Sequence, residues 1–317
     1  MGGTAYLAFY CFAGENWIGL ALSLWSHGTI RAVAASGTHE LSHGTVFKSK
    51  WLNAFFLRIW GLLAWDNFNH YKMSHTYHHL YTLHPRGDGE VVLPSHYSLG
   101  ALDLLQQFTF DVSLFVTLIG YHLRIAVTGK FSDEWSMRIF TPAQNRARRA
   151  AIRWVRVLIA FHVIVAVVSL ILGAWMIPVV VSLGFFFGRW WIYFIGATMH
   201  AGLRDNVPDF RLCTRTIKLD PFSSYLRWNM HYHIEHHMFA AVPCYNLGKL
   251  HRALAFDMPR RRSVIEAWRE IRDTEKRQRT DPDYQFDTPI PAGRDHRTVP
   301  DPLGSDIGDI RPRGYVE

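Results

Sequence analysis

Two apolar runs in the middle of the chain set its architecture. Between residues 157 and 177 the only strongly polar side chains are His162 and Ser169, and the next run, 178–199, is interrupted only by Arg189 and weakly polar residues. About 20 helical residues cross a hydrocarbon layer of ~30 Å, so each run is long enough to span. A soluble protein seldom buries two adjacent helices that are apolar all round. With the uncharged link Trp175-Met176-Ile177-Pro178 between them, the pattern predicts a transmembrane hairpin.

The flanking pattern is weaker. Residues 4–13 are apolar but too short to span, which predicts a half-inserted helix or a start later than the gene's true one. Residues 17–37 form a longer segment diluted by Ser23, Ser26, His27 and Arg31. A Trp- and Phe-rich piece at 51–65 suits the membrane interface. Residues 99–127 carry Asp103, Asp111, His122 and Arg124 among apolar neighbours and read as an amphipathic segment lying in that interface. Beyond Met258 the chain turns charged, with a short helix expected over 263–279 and an irregular last 35 or so residues. The expected fold is all-α: an integral membrane helical bundle with a cytoplasmic cap, residues 1–257, followed by a charged soluble tail, 258–317.

Composition agrees, at 49% hydrophobic and 15% aromatic residues with 12 Trp. The net charge of +8 raises nucleic acid as a partner, but the basic residues flank the apolar runs, which favours anionic lipid headgroups. Arg146, Arg148, Arg149, Arg153 and Arg156 stand immediately before the hairpin and mark its cytoplasmic side. The hairpin then leaves the cytoplasm after Arg156 and returns near His200. No basic n-region or small-residue cleavage site opens the chain, so no secretory signal is expected. Cys11, Cys213 and Cys244 are too scattered for a disulfide framework or a metal knuckle.

The candidate chemistry lies in histidines. The stretch 229–239, NMHYHIEHHMF, places His233, His236 and His237 at i, i+3 and i+4 beside Glu235, and His75, His78 and His79 repeat that spacing around Tyr77. On a helix three such residues lie within roughly a 100° arc and can converge on one point. THELSHG adds His39 and His43 four apart, and His200, at the end of the second apolar run, makes a ninth candidate. Imidazole suits Zn, Fe, Cu and Ni, whereas Mg and Ca want oxygen ligands. Eight or nine histidines exceed what one tetrahedral metal can use, which predicts two metals close together on the cytoplasmic face.

The boxes HELSH, HTYHH and HIEHH, in this order with an apolar hairpin between the second and third, resemble the membrane-bound fatty acid desaturase family over residues 17–251. The closing string HIEHHMFAAVPCYNLGKLH is similar to that family's third-box context, although His231 stands where Asn is frequent and Ala240 where Pro is frequent. The resemblance implies a non-haem diiron centre that uses O2 and two electrons to abstract hydrogens from an acyl chain. It makes His39, His43, His75, His78, His79, His233, His236 and His237 iron ligands, with His200 as the additional one. Glu40 is expected to act through hydrogen bonds to ligands, and His70 and His231 are candidates for orienting them. No fused cytochrome b5 domain is visible, so electrons are expected from a separate ferredoxin or cytochrome b5 type donor and its reductase. Hydroxylases and carotenoid ketolases share the boxes and stand as alternatives to desaturation.

A rival reading takes His39-Glu40-Leu41-Ser42-His43 as the HExxH of a membrane zinc protease, with Glu40 as general base and the loop 206–209 as a third-ligand source. It leaves both HxxHH triads idle. Arg189, about halfway along the second apolar run, is expected either to pair inside the bundle or to meet a polar substrate group.

Overall fold

The computed structural model describes residues 1–91 and 96–291, so the irregular tail expected over the last 35 or so residues lies largely outside the described residues. The described chain is mostly helical, with a single two-stranded sheet. It divides into two compact units interleaved in sequence, residues 1–71 with 98–193 and residues 72–97 with 194–317.

In the first unit, α1 (Gly2–Ala13) packs along α2 (Trp17–Ala34), whose N-terminus is capped by the Asn16 side chain on the Gly19 amide. Thr38 N–H still bonds back to Ala35, but the helix restarts there as α3 (Ser36–Ser42), which packs on α4 (Lys50–Leu63). Next, α5 (Phe68–Leu80) begins in this unit. The segment expected to lie as one amphipathic stretch forms two helices instead, α6 (Ala101–Phe108) and α7 (Val112–Thr128), broken where Asp111 caps the second on the Leu114 amide. α7 packs on α9 (Asn145–Ile171), with the short α8 (Glu134–Ile139) between them in sequence.

Among the described residues, α9 with its leading turn, Pro142–Ile171, is the one helix long and apolar enough to cross a membrane. It buries Trp154, Val155, Leu158 and His162 on one face and exposes Val163, Ile164, Val167 and Ile171 on the other. An apolar side chain such as Ile171, 78% exposed, has no water-facing partner to recommend that arrangement, whereas hydrocarbon suits it.

The second arm of the expected hairpin is not one continuous helix. The link turns at Gly173, φ +66°, and the chain continues as α10 (Met176–Pro178), a π turn (Val179–Leu183) and a 3-10 turn (Gly184–Phe186) before extending at Phe187 and re-forming as α11 (Trp190–Ala197). The carbonyls freed by the irregular turns are taken by one side chain. Arg31 of α2, buried, donates to the carbonyls of Val180, Val181 and Leu63. Backbone that leaves the helical ladder at membrane depth must find such internal partners. α2 passes so close to the extended break that a Cβ on Gly28 would sit 2.2 Å from the Phe187 carbonyl oxygen. Arg189 follows the break with its guanidinium 4.4 Å over the Phe185 ring and Nε 3.8 Å from Asp111, so it pairs within the unit.

The second unit takes α5 from Lys72 onward and is built from short helices. These are α12 (Phe210–Cys213), α13 (Pro221–Leu226), α14 (His233–Met238), α15 (Leu247–Leu254) and α16 (Val264–Gln278), with β1 (Ile217–Lys218) pairing parallel to β2 (Arg262–Ser263). α16 starts at a capping box of Ser263 and Glu266, as its sequence signals. Arg215 and Arg262 both reach Glu270, at 3.1 and 2.8 Å, and Trp268 Nε1–H donates to the Phe194 carbonyl, so the charged helix is tied to this unit.

Candidate metal centre

Seven of the nine candidate histidines meet inside the second unit, in two adjoining clusters. His78, His200, His233 and His237 form one, all buried, with their ligand atoms within 4.8 Å of one another. His75, His79 and His236 form the other by the same measure. Each triad divides between the two clusters. On α5 the i, i+4 pair His75 and His79 faces the second cluster while His78 turns to the first; on α14 the i, i+4 pair His233 and His237 faces the first while His236 turns to the second. Helical geometry permits a division of this kind: i and i+4 lie about 40° apart around the axis, whereas i+3 and i+4 lie about 100° apart. Each helix therefore serves both clusters in reciprocal fashion. The clusters touch, with the His79 and His237 rings stacked at 4.3 Å.

The polarity of the rings fixes what the clusters can hold. His200 Nδ1–H donates to the Cys213 carbonyl at 2.9 Å, and His78 Nδ1–H donates to Asp88 at 2.7 Å. Thr82 Oγ–H donates to the His78 carbonyl, so its oxygen accepts from His237 Nδ1–H at 3.0 Å. His75 Nδ1–H donates to Glu90 at 2.8 Å. With the proton committed to Nδ1, each Nε2 is a bare lone pair. The Nε2 atoms of both clusters lie close together. His233 Nε2 lies 2.8 Å from that of His200 and 3.2 Å from that of His237, and His79 Nε2 lies 3.0 Å from that of His75 and 3.1 Å from that of His236. Lone pairs so gathered are satisfied together by a cation, and an all-imidazole set suits iron, zinc or copper. The residues fit a metal.

Burial favours, for three of the imidazoles, the neutral form that ligation needs. Burial, helped by the charge of His78, lowers the His200 pKa to about 3; burial and neighbouring histidines push His233 and His237 down as well. His78 goes the other way, because Glu90 and Asp88 together outweigh its burial. Glu90 is held at about 2, since His75 and His78 overcome its own desolvation.

The acids after the second box escaped sequence reasoning. Asp88 accepts from the Leu83, Glu90 and Val91 amides as well as from His78, so the loop 83–91 is wound around its carboxylate. The signal was present as Asp88-Gly89-Glu90, two acids in a glycine-bearing loop ten or so residues after the box. Glu235, inside the third box, does not face the clusters in its recorded bonds. It accepts from Thr216 Oγ–H at 2.6 Å and bonds His251 Nδ1, which pins α14 to the segment before β1 and to α15.

The remaining candidates are placed as follows. His39 on α3 and His43 at its C-cap belong to the first unit, their rings 5.2 Å apart, and Glu40, buried, sits with Oε1 3.1 Å from His39 Nδ1. His70 lies in the first unit against Ser136 at 2.8 Å, and His231 is buried beside Tyr232; neither is in a cluster. The loop proposed as a third zinc ligand is committed elsewhere, since Asp209 caps α12 and pairs with Arg211 at 2.7 Å.

The model of the fatty acid desaturase family matches residues 15–268. The chain belongs to the fatty acid desaturase family. A comparison with curated proteins gives no match. This family is one of oxidoreductases of lipid metabolism, with desaturase or hydroxylase-type chemistry; it is generally membrane-associated and known for non-haem diiron. The desaturase-family chain thus carries histidine clusters of the donor type that such a centre uses.

Proposed function

We propose that this family member desaturates a fatty acyl chain, as lipid or acyl thioester, at two histidine-bound irons with O2 as co-substrate. The observation that supports it is the reciprocal division of the two HxxHH triads between two adjoining clusters of closely spaced Nε2 atoms. On this reading His78, His200, His233 and His237 hold one iron. His75, His79 and His236, with His39 and His43 from the first box, hold the other. The irons, when bound, supply O2 chemistry strong enough to break an unactivated C–H bond. The protein's part is to keep the ligand rings neutral by burial and to fix their orientation through Asp88, Glu90, Thr82 and the Cys213 carbonyl. Glu40 acts as a positioning group, holding His39 at Nδ1. The charged segment 258–317 is read as a tail anchored by α16.

The electron source on this reading is a separate ferredoxin or cytochrome b5 type donor with its reductase. Purified protein with an acyl lipid and O2 is expected to be inactive until a reductase with ferredoxin or cytochrome b5 is added, with a mass loss of two hydrogens in the lipid product read by mass spectrometry. Turnover without a donor contradicts the reading, and a gain of one oxygen assigns hydroxylation instead.

The histidine boxes are proposed to face the cytoplasm, from the arginines that precede α9. Cysteines introduced at Leu172 and at Arg149 test this in intact cells: an impermeant reagent is expected to label the first and spare the second, and the reverse pattern inverts the orientation.

A further inference from the structure

A cleft of about 470 Å³ opens in the first unit where α8 leads into α9. Its walls differ in character. Lys130 and Arg148 supply two cations, Thr141 and Asn145 supply short polar groups, and Phe131 and Phe140 line the apolar side. Lys130 follows Gly129, whose left-handed φ of +65° ends α7 and turns the chain into the cleft wall. Arg148 is held by its own helix, donating from Nη2 to Asn145 Oδ1 at 3.1 Å, and Thr141 Oγ1 is buried with no hydrogen-bond partner among the described residues.

The surroundings choose the ligand's sign. Arg124, Arg146, Arg149, Arg153 and Arg156 lie on the adjoining ends of α7 and α9, against the acids Asp133 and Glu134. Both acids are engaged: Asp133 accepts from Tyr121 O–H and caps α8, and Glu134 pairs with Arg138. The first turns of α9 add the partial positive charge of a long helix's start. Resting on the reading of α9 as a membrane span, we propose that this cleft binds the phosphate of an anionic phospholipid headgroup, with Lys130 and Arg148 on the phosphate and the Phe131–Phe140 side against the glycerol and upper acyl chain. A phosphate-sized anion would leave most of a cleft of about 470 Å³ unfilled, including its side at Met137, which is 59% exposed; a lipid fills both parts.

The test uses full-length protein in neutral detergent, titrated with dioctanoyl phosphatidylglycerol, dioctanoyl phosphatidylcholine or inorganic phosphate and read by native mass spectrometry and thermal shift. Wild type is expected to bind the phosphatidylglycerol saturably, at least tenfold tighter than either of the others, and K130Q/R148Q is expected to lose that preference while R124Q keeps it. The double variant's unliganded melting temperature and iron content, compared with wild type, separate a lost site from a lost fold. Equal binding of phosphatidylglycerol by K130Q/R148Q with an intact fold overturns the site. Inorganic phosphate binding as tightly as the lipid overturns its assignment to a lipid. If α9 proves not to span, cysteine labelling at Leu172 reports that separately, while this titration still reads the cleft.

Discussion

Replacing His78 by alanine is expected to lower bound iron from about two per chain to about one and to cut turnover by more than ~100-fold, since loss of a mere orienting partner already costs 10–100-fold at metal sites. His236→Ala, one box away and facing the other cluster, is expected to remove the other iron to a similar degree. The pairing pattern makes the prediction sharper than three boxes being needed. His78→Ala and His237→Ala empty the same cluster, so the double variant is expected to keep the iron that either single variant keeps, whereas His78→Ala with His236→Ala removes both. Metal analysis on the four proteins reads this directly. Equal loss from every combination would mean that the triads act as single units, against their observed division.

The second large effect is expected at a residue that binds no metal. Asp88 is fully buried on its side chain, accepts from His78 Nδ1–H at 2.7 Å and collects three backbone amides of its own loop. Asp88→Ala therefore frees the His78 ring and leaves those amides without their acceptor, a loss of about 1–3 kcal/mol for each buried group left unpaired. Iron affinity is expected to fall about 10–100-fold in Asp88→Ala. Asp88→Asn keeps an acceptor oxygen but not the charge that favours imidazole basicity, and is expected to fall between. Iron affinity measured by competition with a chelator separates the three; an Asp88→Ala protein that holds iron like wild type would remove Asp88 from the centre.

Much of this was legible in the residues. HTYHH and HIEHH name six of the seven histidines that meet in the second unit, with His200 the seventh, because metal ligands must be of a few types and a helix must present them at few spacings. What spacing alone left open was the partition, since an arc of about 100° is narrow enough to share a helix face yet wide enough to serve two centres. The orienting groups were less visible. A carboxylate such as Asp88 or a backbone carbonyl such as Cys213 O becomes part of a site only through the loop that delivers it, and sequence distance carries no such information.

The membrane segments divide in the same way. The apolar run 157–177 reads as spanning because an unbroken run has few alternatives, and α9 follows it as far as Ile171. The second arm is as apolar, yet it breaks at Val179–Phe187, and the cause lies some 150 residues away in Arg31, which in the sequence is only a diluting charge in an otherwise apolar segment. Hydropathy sums side chains one by one, whereas the break is stabilised by a guanidinium that offers several donors to its carbonyls.

Elemental analysis of the purified wild-type protein tests the central claim most directly. The account predicts two metal ions per chain, about one for each all-imidazole cluster, and, on the family reading, that they are iron with zinc at background. A single tightly bound zinc per chain, retained in His78→Ala and His236→Ala, would contradict it.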